Sequence, residues 1–149
     1  ERRTTSDVLT VYRAPIAGAV VADVEVVTVS VNGGYMARQG DYAYWTDKAA
    51  APNGRIRRLL VDDDEADPED VVTNLNLPEG LITDDAYAYF KQLDALYRVP
   101  LGGGAPEQLS PAVAANDAQA TRVFHVDDKY VYFAAGPTGG ASTLVRVAK

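Results

Sequence analysis

The residues of this chain that could do chemistry are few, and most are acidic. Asp84-Asp85 and Asp127-Asp128 are adjacent carboxylate pairs, and Asp62-Asp63-Asp64-Glu65-Ala66-Asp67-Pro68-Glu69-Asp70 is an acidic run. Paired acids can divide general acid and base roles or bind a hard cation such as calcium. Carboxylates also accept hydrogen bonds from backbone N–H groups in tight turns, and recurrence at matching positions favours that use for both pairs. The acidic run lacks the central Gly and the terminal Glu spacing of an EF-hand loop, so it reads as a solvated loop at which calcium is the one ion left open. His125 is the single histidine. A lone imidazole on an apolar stretch is more often packed or hydrogen-bonded than catalytic.

The other catalytic arrangements fail on composition or spacing. With no cysteine and one histidine, the chain has no disulfide, no thiolate nucleophile and no conventional zinc site. Gly102-Gly103-Gly104 runs into Ala-Pro-Glu and not into a helix N-terminus, so it makes no phosphate loop. There is no Gly-X-Ser-X-Gly elbow. No nucleophile–base pair can be assembled, and no residue takes a catalytic, cofactor or metal role from sequence alone.

The net charge of −7 over 149 residues argues against nucleic acid and anionic membrane surfaces, because both need concentrated positive charge; only Arg55-Ile56-Arg57-Arg58 is locally basic. No run approaches the roughly 18 apolar residues of a membrane span, so membrane insertion is not expected. The length suits one domain. A start at Glu-Arg-Arg-Thr-Thr, without an initiator Met or apolar leader, gives the expectation of a fragment. Abundant Ala, with ten Arg against four Lys, leans toward a bacterial source.

What positions the acids is a repeat. A Tyr-X-Tyr-aromatic unit stands at Tyr42, Tyr44 and Trp45, at Tyr87, Tyr89 and Phe90, and at Tyr130, Tyr132 and Phe133, holding six of the nine tyrosines. An Arg among apolar residues recurs at Arg13, Arg58, Arg98 and Arg146, and Val26-Val27-Thr28 is matched by Val71-Val72-Thr73. Each unit is β-branched or aromatic and is bounded by Gly, Pro, Asn or Asp, as strands are. In Tyr87-Ala88-Tyr89-Phe90, alternation puts both tyrosines on one face and small Ala88 beside bulky Phe90 on the other. That pattern suits rings interdigitating between stacked sheets, with a sugar-binding aromatic platform as the alternative.

A repeat near 44 residues with about four short strands matches a β-propeller blade. The predicted division is a partial blade at 1–32, blades at 33–79 and 80–120, and a partial blade at 121–149. Strands fall near 8–16 and 24–31; near 34–38, 42–46, 55–61 and 70–75; near 80–83, 87–91, 95–101 and 107–109; and near 121–126, 130–134 and 143–148. Residues 113–122 are the best helical candidate, though they lack an apolar stripe.

Tyr44-Trp45-Thr46-Asp47, followed by Gly54-Arg55-Ile56-Arg57-Arg58, resembles the YWTD repeat of six-bladed propellers of the low-density-lipoprotein-receptor type. Asp-X-Tyr-Val-Tyr-Phe and Leu-Tyr-Arg-Val-Pro-Leu-Gly-Gly look like related bacterial propeller repeats. Only one copy carries the full tetrapeptide; Lys91-Gln92 and Ala134-Ala135 replace Thr-Asp in the others. The resemblance implies an all-β chain of four-stranded antiparallel blades, about three of them, from a six- or seven-bladed ring. The missing blades would come from a longer parent chain or a second copy.

For function, the fold alone does not choose; the absence of an assembled catalytic set, together with a surface built from repeated loops, gives the expectation of a non-enzymatic binding or scaffold module that engages a protein or glycan on one ring face. The alternative is a propeller enzyme of the metal-dependent lactonase or lyase type, with catalytic residues partly outside this chain. Metal-holding propellers use acidic and Asn residues on inner loops, for which Asp84, Asp127 and Asn116 are the available candidates; no motif assigns them that role. A structural part with no ligand of its own is a third reading. By analogy, the location is extracytoplasmic, in a bacterial envelope or secreted.

Overall fold

Runs rich in Val, Tyr and Thr form strands wherever Gly, Asn, Asp or Pro punctuates them. The computed structural model describes residues 8–13, 25–31, 33–63, 65–92, 95–110, 124–135 and 143–149. Thirteen strands lie in these segments: β1 (Val8–Arg13), β2 (Glu25–Val31), β3 (Gly33–Gln39), β4 (Tyr42–Asp47), β5 (Gly54–Leu60), β6 (Glu69–Leu75), β7 (Glu79–Thr83), β8 (Tyr87–Gln92), β9 (Ala95–Pro100), β10 (Glu107–Gln108), β11 (Phe124–Val126), β12 (Tyr130–Ala135) and β13 (Thr143–Ala148). No helix occurs among the described residues. The helical candidate at 113–122 and Asn116 lie outside them.

The strands form four antiparallel sheets, β1-β2, β3-β4-β5-β6, β7-β8-β9-β10 and β11-β12-β13. Each strand pairs only with its sequence neighbour, as in a propeller blade. The first strand of each larger sheet lies beside the first strand of the next, β3 against β7 and β7 against β11, so the sheets fan out from a common inner edge. β10 is only two residues long, a short outer edge of the kind that limits edge-to-edge association.

Alternation along the second strand of each sheet builds the core. On one side of β4, Tyr44 joins Ile56 against Leu81, Ala88, Phe90 and Val99 of the following sheet. On the tyrosine side of β8, Tyr89 and Leu96 pack against Val131 and Phe133, with Ile82, Val126, Val145 and Val147 around them. The tyrosine face of one sheet therefore meets the small-and-ring face of the next, twice in succession. Full burial of a ring such as Phe90 contributes about 2–3 kcal/mol.

Gly54 is set by close approach: a Cβ there would stand 2.5 Å from the Leu75 carbonyl oxygen and 2.7 Å from that of Ala49. Gly40 turns β3 into β4 at φ 56°, a left-handed value that glycine adopts without strain.

Candidate functional site

The acids, tyrosines and arginines singled out in the sequence converge on one recurring unit at the turn between the first and second strands. Asp84 Oδ1 accepts hydrogen bonds from the Ala86 and Tyr87 amides at 2.9 and 2.8 Å, and its Oδ2 accepts from the Tyr89 hydroxyl at 2.8 Å. Asp127 repeats the arrangement: Oδ1 accepts from the Lys129 and Tyr130 amides at 2.8 and 2.7 Å, and Oδ2 from the Tyr132 hydroxyl at 2.8 Å. In both turns the Asp amide donates to the carbonyl three residues on, at 3.0 Å. The first carboxylate of each pair is a turn cap fixed by a tyrosine. Of the second carboxylates, Asp85 accepts from Gln39 Nε2 at 2.7 Å, while Asp128 is exposed.

The arginines complete the unit. Arg58, Arg98 and Arg146 stand opposite Tyr44, Tyr89 and Tyr132 in register. Their guanidinium carbons lie 4.8, 4.6 and 4.8 Å from the ring centroids of Tyr42, Tyr87 and Tyr130, within cation–π range. Arg58 and Arg98 each reach a fourth-strand glutamate, Glu69 and Glu107, at 2.8 Å. Those hydrogen bonds raise both guanidinium pKa values against the opposing effect of burial. Arg58 Nη1 also donates to the Leu101 carbonyl of the next sheet at 3.0 Å.

One residue that sequence reasoning passed over binds two units together. Lys149 Nζ pairs with Asp84 Oδ2, donates to the Asp127 carbonyl at 3.0 Å and lies 6.0 Å from the Tyr89 ring centroid. Burial pushes the Asp84 carboxyl up, but hydrogen bonds from Lys149, the Ala86 and Tyr87 amides and the Tyr89 hydroxyl outweigh it and hold the pKa at about 2. Asp127 is also lowered, by its two amide bonds and the Tyr132 hydroxyl. Tyr89 is raised by burial and by its bond to Asp84; Tyr132 is raised first by its bond to Asp127.

The Thr and Asp of the single YWTD copy have structural partners. Thr46 Oγ1 accepts the Tyr35 amide at 3.1 Å, where the β3–β4 register slips between Gly33 and Met36. Asp47 is only 4% exposed, and its Oδ2 accepts from Arg55 Nε at 2.7 Å. In the next sheet, Lys91 lies 3.7 Å from Glu79, which also pairs with Lys48, and Gln92 Oε1 accepts the Asn76 amide at 3.2 Å. Different side chains brace the same end of the blade, which is how the repeat persists without the tetrapeptide.

The tyrosine face of β12 differs from the two before it in having no sheet packed over it among the described residues. His125, Asp127, Tyr132 and Leu144 line a concavity of about 370 Å³ there. His125 and Leu144 hold the register positions of Ile82 and Leu96 in the preceding sheet. Leu96 is 3% exposed and Leu144 71%. Arg146 has no carboxylate partner among the described residues, unlike Arg58 and Arg98. His125 is exposed, 6.0 Å from the Tyr132 ring centroid, and shares the concavity with the Asp127 carboxylate.

The remaining candidates do not assemble. The described residues of the acidic run occupy the β5–β6 loop and the start of β6, where Asp70 pairs with Arg57 at 3.1 Å and Glu69 with Arg58. Among the described residues, no three His, Cys, Asp or Glu side chains stand close enough to hold a metal ion. Gly102–Gly104 forms the turn between β9 and β10. Lys149 and Gln39 gave no sequence signal, because each acts across a junction between units.

No protein-family model and no curated protein matches the chain in sequence. Among solved structures, it is similar to a chain of the crystal structure of a nidogen/laminin complex, with a TM-score of 0.66 and 14% identity. The match covers 91% of this chain and 57% of that one, so these residues span little more than half of the similar chain. At that identity the likeness speaks for the fold, which agrees with the sheet order, the inner-edge contacts and the YWTD-type repeat. The described residues form an all-β assembly of antiparallel propeller blades, with repeats that resemble the YWTD type.

Proposed function

We propose that this chain is part of a non-enzymatic propeller module that binds a protein on one ring face. The observation carrying this reading is the use made of the repeated polar residues. Asp84 and Asp127 cap turns, Arg58, Arg98 and Arg146 lie over tyrosine rings, and Asp47 is paired with Arg55. Groups engaged in this way position blades; they do not attack a substrate.

The engaging face is the end that carries the first-to-second and third-to-fourth strand connections. Asp41, Asp62, Asp63, Glu65, Asp67, Asp85 and Asp128 are exposed there. Such a surface attracts a basic partner and raises its association rate at low salt. A glycan is the other ligand class that the ring face could take, through an exposed ring.

The test pairs binding with turnover. The 149-residue protein is titrated with basic and acidic protein ligands and a glycan array at two salt concentrations. In parallel, it is assayed against lactones and esters with and without calcium. Salt-sensitive binding of a basic protein without turnover supports the reading. Stoichiometric calcium binding with hydrolysis overturns it in favour of a metal-dependent lactonase or lyase.

A further inference from the structure

Among the described residues, three buried side-chain polar atoms have no hydrogen-bond partner: Trp45 Nε1, Asp47 Oδ1 and Arg57 Nε. They are not scattered. Trp45 and Asp47 lie two apart on β4 and so share a side of the strand. Arg57 of β5 stands opposite Trp45 in register, with its guanidinium carbon 5.8 Å from the indole ring centroid. Trp45 is fully buried and Asp47 is 4% exposed, so bulk solvent does not satisfy them. Asp47 uses its other oxygen to accept from Arg55 at 2.7 Å. Arg57 donates through Nη2 to the Pro68 carbonyl at 3.0 Å, while its Nε lies 3.1 Å from Asp70 Oδ1 without hydrogen-bonding to it.

The other sheets show that these three groups come as a set. At the positions of Trp45, Asp47 and Arg57, the next sheet has Phe90, Gln92 and Tyr97, and the one after it has Phe133, Ala135 and Val145. Phe90 stacks on Tyr97 with ring centroids 5.8 Å apart, and Gln92 Oε1 accepts the Asn76 amide. Where the indole N–H is missing, the guanidinium and the carboxylate are missing with it.

From this set we propose that Trp45 Nε1, Asp47 Oδ1 and Arg57 Nε together hold one buried water molecule. The water accepts from the indole and guanidinium N–H groups and donates to the carboxylate. Indole and guanidinium nitrogens only donate and a carboxylate only accepts, so the occupant has to do both. A metal ion cannot accept from an N–H group, and an anion would be repelled by Asp47. Three protein partners is the usual number for a buried water, and buried polar groups left unpaired by side chains are where such waters sit. The water ties the Trp and Asp of the single YWTD copy to the third strand of its blade. The site needs no partner protein and is independent of the protein-binding reading.

Trp45 is the only tryptophan, so the indole N–H of the intact 149-residue protein gives one isolated NMR signal. Laboratory-frame and rotating-frame Overhauser experiments at the water frequency should show a cross peak to this proton with opposite signs in the two, the pattern of a held water. Its intensity should stay constant as the pH is raised from mildly acid to mildly alkaline. Asp47→Val removes the acceptor, and the cross peak should be lost while the indole signal remains dispersed.

No cross peak in the folded parent overturns the proposal, because the indole would then bond the carboxylate directly or stay unpaired. A cross peak that grows steeply with pH also overturns it, since the signal would come from protons exchanging with solvent. One that keeps its intensity in Asp47→Val does the same. If that variant fails to fold, the presence and pH dependence of the parent's cross peak still decide the matter.

Discussion

Tyr89 and Tyr132 hold the same place in successive sheets. Each donates its hydroxyl to an aspartate at 2.8 Å, each stands opposite an arginine, and each has a tyrosine neighbour with ring centroids 6.3 and 6.2 Å away. Tyr89 is completely buried, and Tyr132 is partly open to solvent. Local sequence therefore determines the turn, the hydrogen bonds and the direction of each ring. Coverage is a property of the next unit: the first face is closed by Val131, Phe133 and Lys149, and the second has no such neighbour among the described residues.

The largest effects should separate the two faces most clearly. Leu96→Ala empties a site between packed sheets and should cost about 2–4 kcal/mol, whereas Leu144→Ala, at the equivalent position, should fall within about 0.5 kcal/mol of the parent. Urea unfolding of both variants measures the contrast; equal losses would break it.

Tyr89→Phe comes next. It removes one of the four groups donating to the Asp84 carboxylate in a buried setting and should cost about 1 kcal/mol. Tyr132→Phe should leave the unfolding midpoint unchanged, because water reaches the Asp127 carboxylate.

Acid sharpens the comparison at smaller amplitude. The Asp84 carboxyl is held at about 2, below its unfolded value. Its contribution is therefore complete above about pH 4 and is lost as pH falls through about 2. Because Asp84 is only partly buried, this is worth about 1 kcal/mol after allowance for screening. Lys149→Met removes an ammonium from the carboxylate, so the acid loss should be smaller and should level off nearer pH 4. Acid titration of the unfolding free energy, parent against variant, reads that shift.

Much of this architecture was legible in the sequence, for a physical reason. A blade strand covered on both faces needs rings beside small residues at period two, and Tyr87-Ala88-Tyr89-Phe90 displays that requirement directly. Aligning Arg58, and not Arg55 or Arg57, with Arg98 and Arg146 was also readable, and the three guanidiniums lie over equivalent rings. The turn role of Asp84 and Asp127 followed from recurrence.

The contacts across junctions were not legible. Lys149 meets Asp84, Gln39 meets Asp85, and Arg58 meets the Leu101 carbonyl. Each joins residues far apart in sequence, at positions whose types differ from one unit to the next. Gln39 even stands at the repeat position that Asp84 holds one unit later. The exposure of Tyr132 was equally hidden, since Asp127, Tyr132 and Leu144 match Asp84, Tyr89 and Leu96 of a covered face.

Tyrosine acylation followed by peptide mass mapping tests the central claim directly, because it reads the two faces in one sample of the intact chain. The account predicts that Tyr132 is modified readily while Tyr89 and Tyr44 stay protected until the protein unfolds. Equal protection of Tyr132 and Tyr89 in the folded chain would contradict it, since the third face would then be covered like the first two.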